Sequence, residues 1–356
     1  MLCSGGACIK HFHETRSCDK LCSPGGMVVD TVRERLVIAD TGSHRVICID
    51  ISRASLELVQ PLRVWQHGAA FNRGCADDLL SSPCGCAPSL DGLRVHVADS
   101  LNHRIVTLCA ETGAFLGAFG ARGPLAGQFN GPRSIAVSPI DGRVWIADSD
   151  NQRVVCFEEN IAAIDQEPWR FVAQLGRAES SEASHDRFDH PRSVAISSDG
   201  ALLAVADTYN HRVQIFESKT HQYVRTIDTR ADGPAAVAAL GNGSAAAAVA
   251  STSPANARPL ESPRIVCLHG DDLYVCTKDA ESPLCVFSVS TGAWRGAVSG
   301  KMSALPSSSS SPIAVSAVKG VQWSGNVLGL CSDTANGTLF VSDSVASSVA
   351  MLHALC

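Results

Sequence analysis

The chain has 356 residues, of which 45% are hydrophobic, 18% charged and 5% aromatic. This hydrophobic fraction can form a sizeable core, which excludes a wholly disordered chain. Twenty-nine basic and thirty-five acidic residues give a formal net charge of −6. That balance argues against a nucleic-acid-binding surface over the whole chain, because such a surface needs an excess of basic residues.

The sequence also predicts a location for the protein. It contains no run of about 18 apolar residues, so we expect no membrane span. Residues 1–20 lack the apolar stretch of a secretory signal, and we expect a cytoplasmic location. The fifteen cysteines are an odd number, and in a long chain without a signal we expect them to stay reduced and to fill the core.

Four segments of the chain share one pattern, in which an aspartate precedes an arginine by five positions. The pairs are Asp40/Arg45, Asp99/Arg104, Asp148/Arg153 and Asp207/Arg212, and the aspartates are spaced by 59, 49 and 59 residues. Around the third pair, apolar β-branched runs and an Asp-Gly turn predict strands over 134–138, 144–147, 154–157 and 171–175. Four antiparallel strands in each repeated unit are typical of a β-propeller blade.

The hairpin that carries the aspartate and the arginine has its own predicted chemistry. We expect each pair to be an ordinary cross-strand ion pair worth roughly 0.2–1 kcal/mol. Asn102, Asn151 and Asn210 stand in the turn, where we expect them to adopt the left-handed conformation that asparagine tolerates.

The turn triplets point to a known family. Asn102-His103-Arg104, Asn151-Gln152-Arg153 and Asn210-His211-Arg212 resemble, together with their flanking positions, the NHL repeat over about residues 21–228. The resemblance implies an all-β, six-bladed β-propeller of four-stranded antiparallel blades, of NHL or TolB-like type. It also implies a function in binding, because such propellers most often bind proteins or RNA.

Six units account for nearly the whole length. We assign residues 1–20 to an N-terminal segment and 21–356 to the propeller, with low-complexity insertions at about 229–262 and 300–312. The last unit has no outer strand of its own, so we expect residues 7–13 to supply one and close the ring. The alternative is seven blades, because Pro234, Val237 and Asn242 mimic the start of a further unit.

The connections between units predict where a binding site lies. The segments 66–82, 120–131, 176–190, 228–262 and 300–325 are long and cross one face, whereas the opposite hairpins are short. Long loops gather where proteins bind their partners, so this long-loop face is the predicted binding face.

The candidate binding residues are two sets on this face: Arg133, Arg192 and Arg264, and the triplet histidines His44, His103 and His211. Each of the three arginines follows a blade-opening proline, so the ring would bring them to the channel rim, where they can bind an acidic or phosphorylated segment. The competing interpretation pairs the arginines with carboxylates such as Asp186 or Asp189. For the histidines, it is local packing within their turns.

The N-terminal segment holds a cluster of residues that can bind zinc: Cys3, Cys8, His11, His13, Cys18 and Cys22. Their spacing lacks paired Cys-x2-Cys motifs and does not match a RING finger, the domain that often precedes NHL propellers in ubiquitin ligases. The competing interpretation is a tail that contains the closing strand.

We find no nucleophile, phosphate-loop or zinc-protease motif, so the sequence predicts no catalytic residue and no cofactor. The function we expect is that of a monomeric scaffold for a protein partner. The family resemblance also implies that it could act as an adaptor associated with a ubiquitin ligase. One alternative is a zinc-dependent lyase, since the repeats resemble peptidyl-α-hydroxyglycine amidating lyase, with His185, His190 and His269 near the channel. The other is an RNA-binding propeller, which the net charge of −6 disfavours.

Overall fold

A computed structural model describes residues 8–12, 21–52, 62–159, 169–176, 185, 187–227, 261–278, 284–298, 327–333, 338–343 and 348–353. Its strands are β1 (Cys8–Phe12), β2 (Pro24–Asp30), β3 (Arg35–Asp40), β4 (Arg45–Asp50), β5 (Arg63–His67), β6 (Pro83–Pro88), β7 (Arg94–Asp99), β8 (Arg104–Cys109), β9 (Phe115–Phe119), β10 (Ala121–Arg122), β11 (Gln128–Phe129), β12 (Pro132–Val137), β13 (Val144–Asp148), β14 (Arg153–Glu159), β15 (Trp169–Leu175), β16 (Pro191–Ile196), β17 (Leu202–Asp207), β18 (Arg212–Glu217), β19 (Tyr223–Ile227), β20 (Ile265–His269), β21 (Asp272–Cys276), β22 (Leu284–Ser288), β23 (Trp294–Val298), β24 (Val327–Asp333), β25 (Thr338–Asp343) and β26 (Ser348–His353).

The strands assemble into antiparallel four-stranded sheets, and the described ranges contain six of them. Five follow the chain order, as β2–β5, β6–β9, β12–β15, β16–β19 and β20–β23, and the sixth has the order β1-β26-β25-β24. Strands β10 and β11 form a small parallel pair outside these sheets. The predicted all-β propeller with antiparallel four-stranded blades is therefore confirmed. The segment on which the seven-blade alternative depends, 234–251, lies outside the described residues.

The core is divided among the gaps between neighbouring sheets. Each apolar cluster combines residues of two consecutive sheets, and one cluster joins the β24–β26 sheet to the β2–β5 sheet. The innermost strands also contact one another in the cyclic order β2, β6, β12, β16, β20, β24 and back to β2. At that last contact, a Cβ on Gly329 would lie 1.9 Å from the Gly25 carbonyl oxygen, so only glycine allows the two strands to approach so closely.

The repeated aspartates are the most deeply buried charged groups in this framework. The four side chains have no exposed surface, and each Oδ2 accepts a hydrogen bond of 2.7–2.8 Å from the Nε of the arginine five positions later. Each Oδ1 accepts a backbone N–H from the crossing segment that precedes the blade, at 2.6–2.7 Å. One carboxylate therefore ties the hairpin to the loop that leads into its own blade.

The arginines extend this link to the loops. The Arg104 guanidinium donates to the backbone carbonyls of Cys75, Ala76 and Leu79. The Arg153 guanidinium binds the equivalent loop through Pro124, Leu125 and Gln128. The crossing segments before β6 and β12 are thus held in place by charge-assisted hydrogen bonds from the blade that each of them enters.

The expectation of ordinary cross-strand pairs worth under 1 kcal/mol is wrong for these aspartates. It assumes that water reaches the hairpin mouth, whereas the loops cover it and the carboxylates are wholly buried. Burial raises the pKa of Asp40, Asp99, Asp148 and Asp207, and the N–H donors around each carboxylate oppose that shift. Breaking such a buried pair costs far more than breaking an exposed one.

In four blades, a hydroxyl that follows the aspartate joins the blade to the next one. Thr41 and Thr208 donate from Oγ1 to the carbonyl of the proline that opens the following blade, each at 2.7 Å. Ser100 and Ser149 make the same bond. Across the junction between the chain's two ends, the Ser342 hydroxyl donates to the Pro24 carbonyl at 3.0 Å. The same kind of contact is therefore repeated around the ring.

The cysteines behave as core residues. Eleven cysteines, from Cys22 to Cys331, are free thiols. Cys48 and Cys156 lie fully buried at equivalent positions of β4 and β14, as predicted, and Cys86 faces the same kind of environment on β6. Burial raises the pKa of these three thiols to about 12, so they stay neutral and unreactive. Over the described ranges, no helix is long and apolar enough to cross a membrane.

The N-terminal strand lies at the outer edge of the last sheet. Strand β1 pairs antiparallel with β26, and the register places His11 opposite Ala350 and Phe12 opposite Val349. Cys8 and His11 belong to this strand, whereas Cys3, His13 and Cys18 lie outside the described residues. The described residues therefore do not test whether this segment binds zinc.

We predict that Asp148→Asn lowers the free energy of unfolding by about 3 kcal/mol or more, because Arg153 then keeps a buried charge without its counter-ion. Urea unfolding followed by tryptophan fluorescence measures the change. Glu158→Gln is the matched control, since Glu158 pairs with Arg143 at 3.3 Å on the surface and should cost less than about 1 kcal/mol. Equal losses in the two variants would contradict the role given to the buried aspartates.

We predict that deleting residues 1–20 lowers the melting temperature by several degrees, because β26 loses its outer partner and its backbone groups become an open edge. Differential scanning calorimetry of the full and shortened chains measures this. Deleting residues 1–6, which leaves β1 whole, is the control. An unchanged melting temperature after the longer deletion would contradict the role of β1 in closing the ring.

Candidate functional site

The arginines that follow the blade-opening prolines are placed by β-bulges. On β12 the register changes between Pro132, opposite Asp148, and Ser134, opposite Ala147, so Arg133 is the extra residue. The same shift on β16 makes Arg192 the extra residue. A bulge interrupts the alternation of side chains along a strand and turns the inserted residue in a new direction. The sequence motif does not show this, because a bulge is visible only in the pairing of two strands.

These arginines occupy one side of the channel mouth. Arg133 and Arg192 lie near the starts of β12 and β16, and Arg264 directly precedes β20, where its N–H donates to the Cys276 carbonyl at 2.8 Å. The three innermost strands are consecutive neighbours in the ring. The first two blades carry Gly25 and Cys84 at the equivalent position. We call Arg133, Arg192 and Arg264 the arginine rim.

The arginine rim concentrates positive charge. All three side chains are half-buried, and burial together with the charges of Arg192 and Arg133 lowers the pKa of Arg264. The same two charges act on the Cys84 thiol and oppose the effect of burial, which raises the pKa of that thiol. Among the described residues, neither Arg133 nor Arg192 forms an ion pair with a carboxylate. The rim is thus a group of neighbouring cations suited to bind an anion.

A tyrosine fixes the middle arginine. Arg192 donates from Nη2 to the Tyr209 hydroxyl at 3.3 Å, and its guanidinium carbon lies 5.6 Å from the centroid of the Tyr209 ring. Tyr209 belongs to the turn after Asp207, so the buried network below indirectly sets the position of the guanidinium. Such cation–π contacts restrict the side chain without neutralising its charge.

Two carboxylates near the start of β16 lie beside a histidine. His190 Nδ1 lies 2.7 Å from Asp189 Oδ1, and its Nε2 lies 4.0 Å from Asp150 Oδ1. The ring of His190 also packs at 4.6 Å against that of Tyr209. Asp189 therefore bonds with His190 and not with the arginine rim, which disfavours the competing interpretation of self-paired arginines. Asp186 lies outside the described residues.

The triplet histidines link one blade to the next. His44, His103 and His211 have φ of 54–58°, and the Nδ1 of each accepts the backbone N–H of the residue before the next blade's proline. Those donors are Ser82, Gly131 and Ser262, at 3.0–3.1 Å. These contacts support the competing interpretation of local packing, and a binding role for the histidines stays a prediction.

The left-handed residue of the turn is therefore not the asparagine, and that expectation is wrong. It is the following residue, including Gln152 in the third unit, with φ of 55°. Asn102, Asn151 and Asn210 instead donate from Nδ2 to Oδ2 of the buried aspartate at 2.7–2.9 Å. The need to satisfy a buried carboxylate explains the asparagine better than backbone conformation does.

The histidines considered for a lyase-type zinc site do not come together. His185 stacks on Tyr223 with ring centroids 3.5 Å apart, and His190 sits beside Asp189 at the start of β16. His269 ends β20, at the opposite end of the blade from Arg264. Within the described ranges, no three His, Cys, Asp or Glu side chains are placed to hold a metal ion. These three histidines therefore do not fit a zinc centre.

Comparison with solved structures places the fold in a class. The structure is similar to a gluconolactonase from Xanthomonas campestris, with a TM-score of 0.55 and 15% identity over 99% of this chain and 95% of that one. It is also similar to a chain of a nidogen–laminin complex, with a TM-score of 0.50 and 16% identity over 78% of this chain and 80% of that one. Both likenesses concern the fold alone, that of a β-propeller.

Sequence comparison narrows the class. The NHL repeat model matches residues 129–157 and 188–216, which hold the third and fourth aspartate–arginine pairs. The chain therefore carries NHL repeats at these two positions, within a fold of β-propeller type.

The curated relatives are much longer than this chain. Peptidyl-glycine alpha-amidating monooxygenase B of Xenopus laevis is 30% identical over 160 residues, which are 44% of this chain and 17% of the relative. The corresponding monooxygenase of Rattus norvegicus is 32% identical over 102 residues, 28% of this chain and 10% of the relative. The chain thus spans less than a fifth of the length of these proteins.

We predict that His103→Ala lowers the free energy of unfolding by about 1–3 kcal/mol, because the Gly131 N–H loses its acceptor. Urea unfolding measures this. His103→Gln introduces the residue that stands at position 152 of the next unit and should cost less. Unchanged stability in both variants would contradict the structural role, and loss of partner binding at native stability would support the binding role instead.

Proposed function

We propose that the chain is a cytoplasmic protein–protein interaction scaffold, a six-bladed NHL-repeat propeller that binds an acidic segment of a partner on its long-loop face. The observation that carries this proposal is the arginine rim. Three cations stand on consecutive blades, close enough for Arg133 and Arg192 to lower the pKa of Arg264, and the Asp189 carboxylate bonds to His190.

Exposed apolar side chains on the same face favour a protein as the partner. Phe71, Leu101, Leu125 and Tyr209 are between 48% and 66% exposed, and all four lie in crossing segments or turns of the long-loop face. Protein interfaces combine exposed apolar and aromatic groups of this kind with arginine. A nucleic acid would instead need a basic track along the surface, and the chain has a net charge of −6.

The state of the cysteines supports the proposed compartment. The free thiols of the described residues include several with no exposed surface, such as Cys48 and Cys276. Reduced cysteines used as core residues are typical of proteins kept in a reducing environment.

The amidating monooxygenases supply a second candidate, a zinc-dependent lyase that acts on peptidyl-α-hydroxyglycine. The observation in its favour is the identity of 30% over 160 residues. Because His185, His190 and His269 do not fit a shared zinc centre, we derive no reaction step for this chain. The zinc content of the purified protein, together with an assay for peptide amide formation, distinguishes this candidate from the scaffold.

We predict that replacing Arg133, Arg192 and Arg264 together with alanine abolishes partner recovery in an affinity pull-down from the source cells. The expected loss is at least tenfold by quantitative mass spectrometry, since charge-assisted bonds to the partner are removed. The matched control replaces Arg63, Arg170 and Arg225, which lie on outer strands, and removes the same charge. Equal recovery with the rim variant and the wild type would refute the proposed site.

A further inference from the structure

We propose that the arginine rim recognises a phosphate monoester, namely a phosphorylated serine or threonine of the protein partner. This inference rests on the proposed function and names the chemical group that Arg133, Arg192 and Arg264 bind. It follows from the charge, the geometry and the unused hydrogen-bond donors of the channel mouth.

The charge of the rim exceeds that of one carboxylate. Three guanidinium groups stand on consecutive blades, and they are close enough for Arg133 and Arg192 to lower the pKa of Arg264. A single carboxylate would bring one negative charge, whereas a phosphate monoester carries about −1.5 to −2 near neutral pH. The phosphate therefore offsets more of the repulsion among the three arginines.

The positions of the arginines suit a tetrahedral group. Arg133 and Arg192 are the extra residues of bulges on two neighbouring blades, and Arg264 directly precedes the first strand of a third. A phosphate monoester presents three terminal oxygens, one for each guanidinium, whereas a carboxylate presents two in a plane. Three donors from separate strands can thus surround the phosphate on one side of the mouth.

Two of the guanidiniums have unused donors. The Nε atoms of Arg133 and Arg192 are buried and have no hydrogen-bond partner among the described residues. A buried donor without an acceptor carries a desolvation cost, which a bound oxyanion removes. Tyr209 meanwhile holds Arg192 through its hydroxyl and its ring, so this side chain loses little freedom when it binds.

The distribution of charge disfavours a nucleic acid as the source of the phosphate. Gly25 and Cys84 occupy the equivalent positions of the first two blades, so the positive charge covers one side of the mouth. Single-stranded nucleic acid needs a groove that follows several successive phosphates. A compact group of three arginines instead matches one phosphate on a side chain.

Degenerate peptide libraries test the inference. Four libraries with identical random flanks, centred on phosphoserine, phosphothreonine, glutamate or serine, are immobilised, and retention of the purified full chain is measured near physiological salt. We expect at least about tenfold more retention on a phosphorylated library than on serine, and several-fold more than on glutamate.

Lysine variants separate charge from guanidinium geometry. Replacing Arg133, Arg192 and Arg264 with lysine keeps the charge but removes the planar fork, so the preference for phosphate over glutamate should disappear. The same change at Arg63, Arg170 and Arg225 should leave it intact. Thermal unfolding by circular dichroism checks that both variants fold.

Equal retention on the phosphorylated and glutamate libraries would overturn the inference, as would a preference that survives the lysine variant of the rim. The proposed function has its own readout. If the libraries show no phosphate preference but the alanine variant still loses its partner in the pull-down, only the present inference fails. If the pull-down is unaffected, the proposed function fails.

Discussion

The buried aspartate carboxylate is the interaction on which the rest of this structure depends. In four blades it joins the hairpin of β-strands to the loop entering that blade, through an arginine on one oxygen and a backbone N–H on the other. Because an unpaired charge at this depth is costly, the carboxylate requires the turn, the arginine and the loop to adopt one arrangement together. The described crossing segments before β6 and β12 are held in one arrangement for this reason, although they are long.

The candidate site is a consequence of the same framework. The carboxylate fixes the turn that carries Tyr209, and the hydroxyl beside it fixes the proline that opens the next blade. A bulge directly after that proline then makes Arg192 the extra residue of the strand. Where the residue at the bulge is Gly25 or Cys84, the same backbone carries no charge. The repeat therefore provides a fixed position, and the residue placed there decides the chemistry of the mouth.

The comparisons agree with this separation of framework and site. Proteins as different as a gluconolactonase and a component of a nidogen–laminin complex share the fold at 15–16% identity. The residues common to the repeats are those of the carboxylate network and the blade contacts, which stabilise the ring whatever it binds. A shared propeller therefore says little about function, which depends on a few side chains at the mouth.

The sequence by itself determined the repeat, the strands and the fold class, because period-two apolar runs and turn residues are local signals. It also located Arg133, Arg192 and Arg264 at equivalent places, since each follows a proline. Only the tertiary structure decided what surrounds these residues. The burial of Asp148, the bulge at Arg133 and the contact of Asp189 with His190 depend on strands and loops far apart in the chain. Local sequence does not show which distant segments pair. For this reason the sequence underestimated the energy of the aspartate–arginine pairs and predicted the left-handed conformation at the wrong residue of the turn.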